Sequence, residues 1–109
     1  MNLDIFKPDY YENKARIKSA HAKWKSDINN YLSQNRKCRR KIYEIQDLVK
    51  KNEEYEDRHD RDMPGFYKTA HKLIDDIVDD VYKNVERPDD IDHDTTRKFV
   101  TAYVSAMCY

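Results

Sequence analysis

Gly65 is the only glycine in this chain of 109 residues, which also holds just three prolines and two cysteines. Tight strand-connecting turns draw on glycine for positive φ. Its scarcity excludes a many-stranded β fold and a phosphate cradle built on a glycine-rich loop. Cys38 and Cys108 form no Cys-x-x-Cys pair, which excludes a disulfide framework and a cysteine-rich zinc site. Long apolar runs are missing too. The opening MNLDIFKPDYYENK lacks the core of a signal peptide, and no later stretch could span a bilayer. The expected setting is therefore intracellular and reducing: the cytoplasm, or the host cytoplasm if the chain is viral.

Net charge is also absent, with 21 Lys and Arg against 21 Asp and Glu. The balance hides a segregation. Residues 1–51 carry 13 basic and 6 acidic side chains, and residues 52–109 carry 8 and 15. Each half is thus offset by seven charges, positive first and negative second. Such a chain can fold its halves together, pack against another copy, or offer faces of opposite sign to different partners. Nine Tyr, three Phe and one Trp exclude full disorder and supply a modest core.

From Asp9 to Met63 neither Gly nor Pro interrupts the chain, and Asp9 with Glu12 makes a capping pair after Pro8. Ile17, Trp24, Ile28, Tyr31, Asn35, Cys38, Ile42, Ile45 and Val49 then repeat at steps that sum to seven, with His21 on the same seam. This is the pattern of a coiled coil, in which Asn35 would be a buried polar residue fixing register or partner number. The seam predicts one long helix over about 9–57, covered by a second copy in a homodimer or by the C-terminal helices. The alternative is an antiparallel hairpin broken near Ser33, because NNYLSQN is poor in helix formers. Met63-Pro64-Gly65 ends this region. A second helix over about 66–86 turns Phe66, Ala70, Leu73, Ile74, Ile77, Val78, Val81 and Val85 to one side. After the loop PDDIDHD, a last helix from Asp94 or Thr95 buries Phe99, Val100, Tyr103, Val104 and Met107. The expected architecture is all-α: a coiled-coil-like N-terminal helix or hairpin in residues 1–62, then a two-helix unit in residues 63–109.

Two charged clusters are the candidate sites. LIDDIVDDV sets Asp75, Asp76, Asp79 and Asp80 on an arc of about 140° opposite the apolar side of its helix. Lys72 and Lys83 sit one turn from Asp76 and Asp79 and would offset the repulsion, so a solvated or partner-facing acidic surface is expected rather than a metal site. The basic cluster is Arg36, Lys37, Arg39, Arg40 and Lys41, whose charges suit either nucleic-acid phosphates or an acidic protein surface. PDDIDHD alternates aspartates as a calcium loop does, but Thr95 and Thr101 stand where such a loop needs Gly and Glu.

Three resemblances bear on function. Glu53, Glu54 and Asp57 with Asp76 and Asp79 resemble the paired acidic motifs of small all-helical nucleotide pyrophosphohydrolases of the MazG type, which hold magnesium. The pattern here is degenerate at both ends. KCRRK resembles the basic region of basic-leucine-zipper proteins, but Tyr31, Gln34 and Asn35 replace the Asn and the two Ala of that family. In general style the chain is similar to compact, Tyr- and Asp-rich accessory proteins of phages and mobile elements. The expectation is a non-enzymatic interaction module without metal or cofactor, one that inhibits or adapts a macromolecular complex and whose acidic face could imitate nucleic acid. Nucleic-acid binding through Arg36–Lys41 is the alternative, and a magnesium-dependent nucleotide hydrolase a second.

Overall fold

A computed structural model describes the backbone of residues 8–108 and the side chains of residues 14–108. Four helices follow one another: α1 (Pro8–Gln34), α2 (Arg36–His59), α3 (Phe66–Asn84) and α4 (His93–Cys108). No strand occurs among the described residues. The capping pair expected at Asp9 and Glu12 lies outside the described side chains.

The single helix expected over 9–57 is two helices, parted by one residue. Asn35 adopts φ −78° and ψ 119°, an extended conformation inside an otherwise helical run. Its N–H still completes α1 on the Tyr31 carbonyl at 2.9 Å, and its carbonyl already starts α2 by accepting from Arg39 at 3.0 Å. Its Oδ1 accepts from the Cys38 N–H at 3.0 Å, the bond that an N-cap side chain supplies. Asn35 is therefore a cap rather than a buried register-setting residue of a coiled coil. The break falls two residues past Ser33 and uses no turn residues beyond Asn35, which is why the apolar phase carries through it.

The seam is covered by the chain's own C-terminal helices. Trp24, Ile28 and Leu32 of α1 join Cys38, Ile42, Ile45 and Val49 of α2 in one core with Phe66, Ile74, Ile77, Val78 and Val81 of α3 and Val100 and Val104 of α4. Trp24 meets Phe99 with ring centroids 5.4 Å apart. The first seam residue departs from expectation: Ile17 is 54% exposed, and every described side chain from Lys14 to Ala20 is exposed with it. Among the described residues no helix covers that end of α1. The seam also runs one step further than Val49, onto Asn52, which is buried. Asn52 donates to Asp62 at 3.1 Å and accepts from the Met63 N–H at 2.7 Å, pinning the α2–α3 connection to α2.

The connections obey local chemistry. Asp60 ends α2 in the left-handed region, at φ 56° and ψ 33°, with its N–H on the Glu56 carbonyl. Gly65, at φ 79°, turns the chain into α3, and open space surrounds it, so only its backbone requires glycine. α3 stops at Asn84 and α4 starts at His93, slightly short of and slightly ahead of the expected bounds. Asp92 accounts for the early start: its carboxylate accepts from the Thr95 N–H at 2.8 Å. Bonds from Thr95 hold that carboxyl below its usual range. The aspartate-rich loop is thus a helix cap. Met107, expected in the core, is 48% exposed, while Thr96 is 1% exposed with its hydroxyl donating to the Asp92 carbonyl at 2.9 Å.

Burial at the two ends of the apolar pattern separates two substitutions. Ile77 is fully enclosed, so Ile77→Ala should cost about 2–5 kcal/mol in urea denaturation. Ile17→Ala, on the projecting end of α1, should stay within about 0.5 kcal/mol.

Candidate functional site: the aspartates of α3 and the basic turn of α2

The four aspartates of α3 form two rails on either side of its apolar stripe. Asp75 and Asp79, one turn apart, look toward α4. The Arg97 guanidinium lies against Asp75, and Asp79 meets His93 Nε2 at 3.2 Å. Asp76 and Asp80, also one turn apart, look toward α1 and α2. Lys41 Nζ lies 3.9 Å from Asp76. Asp80 accepts from the Tyr31 hydroxyl at 3.0 Å and from the Cys38 thiol at 3.2 Å, both on Oδ2. Asn84 donates to its other oxygen at 2.9 Å. Among the described residues no ion pair joins Lys72 to Asp76 or Lys83 to Asp79; the offsetting partners come from other helices instead. Asp75 and Asp80, nearest the core, are half-buried, while Asp76 and Asp79 are exposed.

These contacts differ in worth. The pairs of Asp76 and Asp79 are solvated and contribute about 0–1 kcal/mol each. The bonds to Asp80 are part-buried and made to a charged acceptor, the class worth roughly 1.5–3 kcal/mol. Around Asp80 the sequence's polar seam residues find their use. Asn35 Nδ2 donates to the Tyr31 oxygen at 3.3 Å, so the cap of α2, the last turn of α1 and the middle of α3 share one hydrogen-bonded cluster. Burial, followed by the bond to Asp80, pushes both the Tyr31 hydroxyl and the Cys38 thiol up to about 12.

The five basic residues are divided by the fold. Lys41 reaches back to Asp76, and Arg39 leans over Tyr43, donating to its hydroxyl at 3.0 Å with the guanidinium 5.9 Å from the ring centre. Arg36, Lys37 and Arg40 are exposed and, among the described residues, pair with no acid. On the same helix, Arg39 and Tyr43 border a shallow groove of about 280 Å³ between the end of α1, α2 and α4. Leu32 and Ile42 form its floor; Arg39, Tyr43, Tyr103 and Met107 form its walls. Tyr43 is 53% exposed.

The acidic motifs that resemble a magnesium site are kept apart. Contacts to Lys41 and Cys38 set Asp76 and Asp80 level with the start of α2. Glu53 lies twelve residues beyond Lys41, about 18 Å further along the helix. Among the described residues no three His, Cys, Asp or Glu side chains gather as metal ligands would. The histidines are placed singly. His21 Nε2 lies 2.8 Å from Asp90, tying α1 to the α3–α4 loop, and His59 stacks on Tyr55 at 3.9 Å. His93 meets the edge of Tyr82, whose face carries Arg87 at 3.6 Å. Among the described residues no helix is long and apolar enough to cross a membrane.

Fold and geometry together define an all-α protein, with four helices among the described residues around one core and charged rails beside the apolar stripe of α3. Comparison with protein-family models, curated proteins and solved structures gives no match at a significant level.

The Asp80 cluster sets an alkaline limit on stability. Tyr31 and Cys38 hold their protons more tightly when folded than the ordinary values of 10.0 and 9.0, so their contribution is complete below about pH 9 and is lost toward pH 12. Denaturant midpoints should fall across that window, and the fall should be shallower for Tyr31→Phe with Cys38→Ala. A thiol reagent at about pH 8 should label Cys108, which is part-exposed, well before the enclosed Cys38.

Proposed function

We propose that the protein is a non-enzymatic helical binding module whose working surface is the first turns of α2, directed at an acidic surface on another protein or protein–nucleic-acid complex. The observation that carries this reading is the unequal fate of the two charged clusters. The aspartates of α3 are spent on Tyr31, Cys38, Lys41, His93 and Arg97 of the same chain, whereas Arg36, Lys37 and Arg40 point outward without acidic partners among the described residues. Arg36 and Lys37 stand in the first turn of α2, at the positive end of its dipole, a placement that an anionic partner would relieve. The adjoining groove adds an apolar floor and an exposed Tyr43, the kind of anchor that gives a protein interface its energy. Charge would steer the encounter and the groove would hold it. In this role the module acts inside the cell as an inhibitor or adaptor of a larger complex, in the manner of phage and mobile-element accessory proteins. Imitation of nucleic acid by the acidic face is the lesser part of this reading, because its carboxylates already have partners.

Capture from a lysate of the source cells, with and without nuclease, tests the surface and the partner class together. The wild type and Asp76→Lys with Asp79→Lys should both retain a defined protein after nuclease. Arg36→Glu with Lys37→Glu and Arg40→Glu should lose it by about tenfold or more at low salt, and the difference should shrink as salt rises. Recovery of nucleic acid alone would favour a nucleic-acid-binding protein instead, and loss of the partner on reversing α3 would move the working surface to the aspartates.

A further inference from the structure

The residues around Asn35 keep the pattern of a helix that continues. Ile28, Tyr31, Asn35, Cys38 and Ile42 follow at steps of three and four, and the stripe they belong to is buried or half-buried on both sides of the break. The bend leaves backbone groups without helical partners. The N–H groups of Arg36 and Lys37 begin α2, and the carbonyls of Leu32, Ser33 and Gln34 end α1. The Asn35 side chain supplies an acceptor to Cys38 only. Arg36 and Lys37 also stand at the positive end of a helix that has no acidic residue in its first turn.

What holds the bend is the seating of α1 on the second half of the chain. Trp24 packs on Phe99, Tyr31 donates to Asp80, and His21 bonds Asp90. Each of these joins α1 to α3, to α4 or to the loop between them. That seat is incomplete: two clefts of about 280 Å³ each run between α1 and the segment in which α3 ends and the α3–α4 loop begins, bordered by Lys23, Trp24, Asp27 and Tyr31 on one side and Glu86 and Arg87 among those on the other. A seat of this kind is satisfied equally by α1 of another molecule, and a very short connector under competing demands favours such an exchange.

We propose that two copies of this chain exchange α1. In the exchanged dimer Asn35 turns helical, and α1 and α2 form one helix from Pro8 to His59, about 78 Å long. Trp24, Ile28 and Leu32 then seat on α3 and α4 of the other copy. Three backbone bonds form that the bent chain lacks, from Arg36 to Leu32, Lys37 to Ser33 and Cys38 to Gln34, and the one cap bond of Asn35 is given up. The seam of the sequence is thereby used twice, within one chain in the monomer and across two in the dimer.

Asn35 variants and one cross-link test this. Asn35→Leu and Asn35→Ala remove the cap and favour a continuous helix, so in sedimentation each should raise the dimerisation constant about tenfold over wild type. Asn35→Gly, which can still cap but disfavours a helix interior, should lower it. Chains carrying His21→Cys and chains carrying Asp90→Cys, both with Cys108→Ser, are mixed at high concentration and treated with a short thiol-to-thiol cross-linker that spans the reach of the His21 and Asp90 side chains. Exchange places residue 21 of one chain against residue 90 of the other, so a covalent heterodimer joined at those positions is expected, most abundant in the Asn35→Leu background. The proposal fails if Asn35→Leu and Asn35→Ala remain folded monomers at the highest attainable concentration. It also fails if dimers form without the 21–90 link between chains.

Discussion

Asp80 is the point at which the two halves of this protein are tied. It belongs to α3, yet it accepts hydrogen bonds from Tyr31 at the end of α1 and from Cys38 at the start of α2. Those two residues flank Asn35, the single extended residue that turns one helix into two. Seating both helix ends on one carboxylate fixes where the chain bends and which face of each helix looks inward. A part-buried carboxylate is costly unless it is fully hydrogen-bonded. The bend and the satisfaction of Asp80 therefore depend on each other.

The same economy runs through the rest of the charge. A chain with so many ionisable groups has little apolar surface to spare, and its core is a single cluster threaded through all four helices. Carboxylates line the apolar stripe of α3, where they meet cations and hydroxyls from three other helices. Polar side chains elsewhere are spent on backbone ends: Asn35 at the start of α2, Asn52 on the α2–α3 connection, Asp92 at the start of α4. In the basic cluster, Arg36, Lys37 and Arg40 have no acidic partner among the described residues, and the first two sit at the positive end of the α2 dipole. That contrast is why they, rather than the aspartates, stand as the surface offered to a partner.

Much of the fold is legible in the chain. The three-and-four spacing of apolar residues, Met63-Pro64-Gly65 and Pro88 mark out where helices run and stop, and Ile42, Ile45, Ile77, Val78 and Val100 are core positions on that reading. The candidate site is less legible. Asp75 and Asp76 are neighbours in sequence and look alike, but a helix turns them by about 100° to opposite sides of the stripe. One goes to Arg97 of α4 and the other to Lys41 of α2. Nothing local distinguishes their partners. Asn52 was within reach, since it is the next step of the seam after Val49, although its bonds to Asp62 and Met63 depend on the path of the loop.

What the sequence by itself determined is the class of structure: helices, their approximate bounds and their inward faces. Those follow from periodicity, propensity and punctuation, which act over one or two turns of chain. Only the tertiary structure decided that Asn35 caps rather than continues, that α3 and α4 cover the seam, and that the aspartates are partnered from within. At Asn35 local terms oppose one another: a continuous helix would add backbone bonds, whereas Asn favours the cap it makes to Cys38. The balance is tipped by burying Trp24, Ile28 and Leu32 against residues some fifty to eighty positions further along the chain, a gain that no local window of sequence contains.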